Sequence, residues 1–159
     1  MRLDVAPFDS GQSPELHVVT ILENEAMDER SQIERFLDGS PHAVVGASRD
    51  REKYGNKVLR AFMQHSRKAF PVNPTADEVE GLTAYPNLSA LPEPVYGVSV
   101  ITPPHATERV IEEAGKLGIS HVWLQPGAES PRAVARAKEL GIELIAGGPC
   151  ILVALRYHE

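Results

Sequence analysis

The sequence predicts an α/β fold: a doubly wound, mainly parallel sheet held between helices in three layers, α/β/α. Three observations carry that expectation. From residue 43 to residue 145, short apolar runs alternate with amphipathic stretches of about ten residues, the rhythm of successive βαβ units. The run at 97–102, Gly-Val-Ser-Val-Ile-Thr, is rich in β-branched residues, as a strand buried on both faces requires. Right-handed crossovers then wind the helices onto both sides of one sheet.

The elements follow in order. Residues 1–26 read as an N-terminal extension with loop composition at 9–14, either a poorly specified tail or one that adds a strand over 16–22; residues 27–159 read as the domain. Asp28 caps a first helix, Ile33, Phe36 and Leu37 form its apolar face, and Gly39 stops it. A strand over 43–47 leads into a helix over 56–65, with Val58, Leu59 and Phe62 inward. A strand follows at 69–73, a short edge strand near 82–85, and the central strand at 97–102. The helix after Pro104 turns Ala106, Val110, Ala114 and Leu117 inward and closes at Gly118. A strand at 121–125 precedes a helix capped by Ser130 and started by Pro131, with Ala133, Val134, Ala137 and Leu140 inward. The last strand covers 142–145.

Bulk properties bound the function. A chain of 159 residues that is 42% hydrophobic buries one real core. No apolar run reaches the ~20 residues of a membrane span, and the first residues lack the pattern of a secretory signal, so the expected location is cytoplasmic. Cys150 is the only cysteine, which excludes an internal disulfide and fits a reducing compartment. The formal net charge of −6, with acidic and basic residues well mixed, argues against a nucleic-acid partner.

The stretch at 43–58 carries the most information. An apolar run stops at Gly46, crosses a polar loop, meets Gly55 and enters an amphipathic segment. A strand, tight turn and helix N-terminus in that order present backbone N–H groups at the positive end of a helix dipole, a site for phosphate. The loop is not a Walker A motif, and Gly46 and Gly55 are too widely spaced for G-x-G-x-x-G. Where a dinucleotide enzyme places an acidic residue on the ribose, this chain has Asn73, whose amide can bond a hydroxyl or a phosphate oxygen. Arg49, Arg51, Lys53 and Lys57 gather cations near the same helix start, suiting a ligand with more than one phosphate unless they pair with Asp50 and Glu52. The other candidates are weaker. Cys150 follows a Gly-Gly-Pro turn and reads as a buried thiol or one near a thioester; His105 lies in a helix first turn; Trp123 reads as core. The histidines show no metal-ligand spacing, and there is no nucleophile elbow.

Several motifs in fixed order resemble a known family: Val-Val-Gly-Ala-Ser, Gly-Asn-Lys-Val, Pro-Val-Asn-Pro, the segment 82–94, and Val-Trp-Leu-Gln-Pro-Gly. Together, over residues 28–152, they are similar to the CoA-binding domain family, Rossmann-like proteins akin to the N-terminal domain of the succinyl-CoA synthetase α subunit. The resemblance implies that Gly46, Ala47, Ser48 and the loop through Arg49, Lys53 and Tyr54 to Lys57 hold the diphosphate of coenzyme A or an acyl-CoA. It places the N–H groups of Gly55 and Asn56 at the phosphates, and Asn73 and Pro74 beside the ribose. Thr102 and Pro103 flank the adenine or the pantetheine arm, and Gln125 and Gly127 line the cleft. The loop before Cys150 departs from the family by lacking a charged residue there. A synthetase further needs a domain with a phosphorylatable histidine, so the expectation is a stand-alone binding protein without catalysis: a sensor, carrier or regulator, possible as a homodimer. Two alternatives stay open: an NAD(P)-binding sensor or oxidoreductase, and a small acyl-CoA enzyme using Cys150.

Overall fold

The computed structural model describes residues 29–159. The chain divides into two compact units, Met1–Glu34 and Arg35–Glu159. The expected extension over 1–26, its strand at 16–22 and the Asp28 cap lie outside the described residues. Residues 29–38 are helical (α1). The elements then run β1 (His42–Val45), α2 (Tyr54–Gln64), β2 (Ala69–Val72), β3 (Glu78–Val79), β4 (Leu82–Thr83), a 3-10 turn (Leu88–Ala90), β5 (Gly97–Val100), α3 (Pro104–Lys116), β6 (His121–Leu124), α4 (Pro131–Glu139), β7 (Glu143–Ile145) and α5 (Ile151–Ala154).

Five strands form one sheet in the order β2-β1-β5-β6-β7, every pairing parallel. The doubly wound α/β fold is therefore as expected. Strand β1 is where the winding reverses: the chain leaves it toward β2, then returns to its other side as β5. Both faces of the sheet are covered, which is why β1 and β5 are buried at every residue. Ala43, Val45, Val98, Val100, Val122 and Leu124 face Ile111 and Ala114 of α3 and Ala133 and Ala137 of α4. On the other face His42 packs against Phe36 and Phe62, and Trp123 meets Phe36 edge to face.

Strands β1, β2, β5 and β6 end earlier than expected. The next residue still donates to the ladder, Gly46 to Val72, Ile101 to Val45 and Gln125 to Val100, and the chain then turns away from the sheet. The expected edge strand near 82–85 is instead half of a separate hairpin, β3 paired antiparallel with β4. Only Tyr85 bridges to β2, through Val72. On two helices the expected inward stripe holds in part, with Val110 and Leu140 packed against the core, but one member of each turns outward. On α3 the buried residues are Thr107, Ile111 and Ala114, while Leu117 is 47% exposed. On α4 Ala133 and Ala137 go inward and Val134 is exposed. Thr107 hid the α3 stripe because its hydroxyl, paired with the Thr102 hydroxyl at 2.8 Å, lets a polar residue occupy a core position.

Candidate functional site at the carboxyl edge of the sheet

The reversal at β1 opens a crevice above the strand ends, the usual ligand position in such sheets. Two glycines shape its floor. Gly46 has φ +98°, and a Cβ there would lie 1.9 Å from the Ile101 carbonyl oxygen. Gly55, in the first turn of α2, leaves no room either: its Cβ would lie 1.9 Å from the Gly46 oxygen. Gly46 and Gly55, too far apart in sequence for the standard motif, thus meet in space and let helix, turn and strand pack backbone to backbone. The Asn56 N–H donates to the Lys53 carbonyl at 3.1 Å, so it is not an outward donor as expected. Among the described residues, the N–H groups of Tyr54 and Gly55 meet no acceptor, and Lys53 caps α2 without a side-chain bond.

The polar side chains expected to face a ligand largely hold the loop itself. Ser48 Oγ accepts from Asp50 N at 3.0 Å, and Asp50 Oδ1 accepts from Glu52 N at 3.0 Å. Asn73 Nδ2 donates to the Ala47 carbonyl at 2.8 Å, while its oxygen takes the N–H groups of Thr75 and Ala76. The amide expected to bond a ligand hydroxyl is therefore a strut between the ends of β1 and β2. Asn56 is fully buried and donates to the Ser48 carbonyl at 2.8 Å. Gln125 is also fully buried and does not line the cleft: it donates to Ser99 Oγ at 3.0 Å and accepts from Ile151 N at 2.9 Å. Each carries a polar group inside because both its oxygen and its nitrogen have hydrogen-bond partners.

Two cavities lie along the edge. One, of about 240 Å³, is walled by Gly46, Pro74, Pro86, Asn87, Thr102 and the α3 residues Ala106, Arg109 and Val110. The other, of about 440 Å³, is walled by Tyr54, Ile101, Thr102, Pro103, Pro126, Gly127, Ala128 and Cys150. Thr102 lines both, so the two adjoin there, and together they are called the trough. Of the expected site residues, the structure brings Gly46, Pro74, Thr102, Pro103 and Tyr54 to this trough. Gly127 and Cys150 also reach it. Arg109 and Asn87 line it without having been singled out. Arg109 was legible in principle, since it lies three residues after Ala106 and so on the same helix face beside the cavity. A larger groove of about 610 Å³ lies between α3 and α4; it shares Arg109 with the smaller cavity and is otherwise lined mostly by charged side chains, with His105.

The cations disperse. Arg49, Arg51 and Lys53 are exposed. Arg51 pairs with Glu80 at 3.2 Å, and Lys57 with Glu159 at 3.1 Å, so neither pairs with Asp50 or Glu52. Cys150 is half-buried, with its thiol in contact with the Tyr54 hydroxyl, which also donates to Gln125 Oε1 at 3.3 Å. Burial first, then the Cys150 contact, pushes the Tyr54 hydroxyl well above its ordinary pKa, so it stays protonated at neutral pH. Trp123 is core, its indole N–H on the Pro149 carbonyl at 3.0 Å. No helix among the described residues is long and apolar enough to cross a membrane.

A five-stranded parallel sheet, wound in both directions from β1 with a glycine-turned loop at the reversal, defines a Rossmann-like α/β domain. The chain belongs to the CoA binding domain family, whose match covers residues 41–156. It is 27% identical over 129 residues to the ADP-forming acetate–CoA ligase I of Archaeoglobus fulgidus, across 75% of this chain and 19% of that protein. The chain thus spans about a fifth of the length of that relative. It is 30% identical over 126 residues to the uncharacterized protein YneT of Bacillus subtilis, across 79% of this chain and 93% of YneT. Among solved structures, a conserved hypothetical protein of Pyrococcus furiosus superposes with a TM-score of 0.68 at 37% identity, over 71% of this chain and 97% of that one.

Proposed function

We propose that this chain binds coenzyme A or an acyl-CoA in the trough, in the cytoplasm, and acts through binding rather than catalysis, as a sensor, carrier or regulator of a partner. The observation that carries the reading is the trough itself: it starts at the backbone turn of Gly46 and continues past Thr102 to an apolar chamber ending at Cys150. A nucleotide with a long flexible arm has that shape. The diphosphate lies against the loop of Gly46, Ala47 and Ser48 and the first-turn N–H groups of α2, with Arg49 and Lys53 as nearby cations. The nucleoside fits the smaller cavity beside Pro74 and Arg109, and the pantetheine arm the larger one between Pro103 and Tyr54. Residues 27–159 are the binding domain in this reading and 1–26 an extension. Family membership supports the ligand class. The match to nearly all of YneT supports binding as a function in its own right, since the same module there makes up most of a protein.

Thermal unfolding in the presence of coenzyme A, acetyl-CoA, NAD, NADP and ATP tests this. A ligand at a hundred times its Kd stabilises by ~2.7 kcal/mol, a plainly visible shift. Coenzyme A or acetyl-CoA is expected to stabilise most. Stabilisation by NAD or NADP with none by coenzyme A overturns the reading.

A further inference from the structure

The hairpin β3–β4 turns on two residues, Glu80 and Gly81. Both have positive φ, +51° and +80°. A two-residue hairpin of that kind is the type I′ turn, whose central positions favour Asn, Asp or Gly. Glutamate in the left-handed region is disfavoured by its own Cβ. Its side chain is nonetheless only 18% exposed, drawn back onto the protein. Oε2 accepts from Asn56 Nδ2 at 2.9 Å and from Arg51 Nε at 3.2 Å. The bond from Asn56, then the Arg51 charge, holds this carboxyl below its ordinary pKa, against the opposing effect of burial.

What Glu80 touches is what holds the loop. Asn56 Nδ2 also donates to the Ser48 carbonyl at 2.8 Å, and its Oδ1 accepts from Arg60 Nε at 2.6 Å. Arg60 in turn donates to the Arg51 carbonyl at 2.9 Å. The carbonyls of residues 48 and 51 are therefore both tied to α2 through one buried Asn56–Arg60 pair. Glu80 takes the second amide hydrogen of that asparagine, so a single carboxylate completes the tie and anchors the side chain of the loop's own Arg51. Backbone strain kept beside a ligand-facing loop points to a role for the strained residue.

We propose that Glu80 is a positioning residue for the loop 46–53: the hairpin is a latch that keeps the loop in its binding shape, and the unfavourable turn residue persists because its carboxylate sets that latch. The effect on affinity rests on the coenzyme A reading above; the effect on loop order does not.

Glu80→Asn separates the latch from the turn, because asparagine suits the turn but is too short to reach Asn56 and Arg51. The expected result has three parts. The thermal midpoint is unchanged or higher, amide hydrogen exchange at 47–53 in the free protein is about tenfold faster, and coenzyme A binds about tenfold more weakly by calorimetry. Glu80→Gln, which keeps an oxygen for Asn56, is expected to stay within about threefold of the unmodified protein. Should Glu80→Asn fail to fold, Glu80→Gly provides the same separation. Unchanged exchange at 47–53 overturns the proposal. So does an affinity loss matched by a falling midpoint, the mark of general destabilisation, or a glutamine variant no better than asparagine. If the unmodified protein does not bind coenzyme A, the functional reading fails, and the exchange measurement alone decides the latch.

Discussion

The two ends of the trough are made of different material. At the Gly46 end the floor is main chain, pressed together by two glycines beneath the walls of Pro74, Pro86 and α3, with the polar side chains of Asn56 and Asn73 turned back to brace it. At the Cys150 end the wall is side chain: Ile101, Pro103, Pro126 and Ala128, with the Tyr54 hydroxyl against the thiol. A main-chain surface recognises a ligand by shape and N–H donors, so it is indifferent to many side chains but intolerant of an added Cβ. A side-chain surface recognises by apolar fit and changes by degrees.

Gly46→Ala is the largest test of that contrast. The new Cβ meets the Ile101 carbonyl, which is backbone and cannot swing aside, and φ +98° is strained for alanine. A loss of about 3 kcal/mol in urea unfolding is expected. Pro126→Ala, at an exposed position of the other end, should stay within about 0.5 kcal/mol. Similar losses would break the contrast. Acid tests whether the two ends share one cooperative unit. His42 is fully buried, with Nε2 on the Phe36 carbonyl at 2.7 Å and Nδ1 without a partner. Desolvation depresses its folded pKa below the unfolded value of 6.5. Below pH 6.5 the unfolded chain therefore binds a proton that the native state refuses. Stability is lost as pH falls, by at most about 1.4 kcal/mol per pH unit from this group until the folded pKa is reached. Hydrogen-exchange protection factors, which remove the slower intrinsic exchange at lower pH, should fall together at 46–53 and at 125–128 between pH 6.5 and 5. If only one end loosens, the ends are separate unfolding units.

The same contrast explains what could be read from the chain beforehand. The sheet was legible because strands buried on both faces need continuous apolar runs, and Val98, Val100, Val122 and Leu124 supply them. The turn at Gly46 was legible because glycine marks a conformation that other residues avoid. Side-chain partners were not, because they join residues remote in sequence. Asn73 looked like a ligand group but braces Ala47, Gln125 looked cleft-lining but joins Ser99 to Ile151, and Glu80 gave no signal before its contact with Asn56 was seen. The α3 stripe was misread because a paired threonine can replace an aliphatic residue in the core.

Tyr54→Phe probes the side-chain end at smaller scale. It removes a hydroxyl, while Gln125 Oε1 keeps the Ile151 N–H and no buried acceptor is orphaned. A loss of about 1 kcal/mol in chemical denaturation is expected. A loss several times larger would mean that the Tyr54–Cys150 contact governs the fold as strictly as the glycines do.

Lys57→Ala should do least. The sequence groups Lys57 with the phosphate loop, but the structure pairs it with Glu159, itself mostly exposed. An exposed ion pair of this kind contributes little and weakens with salt. The variant should therefore leave the thermal midpoint nearly unchanged. It should bind coenzyme A and 3′-dephospho-coenzyme A with Kd changes within about twofold, equal for both. A selective loss for coenzyme A would show that the 3′-phosphate draws Lys57 away from Glu159. The cation would then belong to the site, and Glu159→Gln should tighten coenzyme A binding by removing the competitor. The main-chain end would in that case recognise charge through a side chain after all.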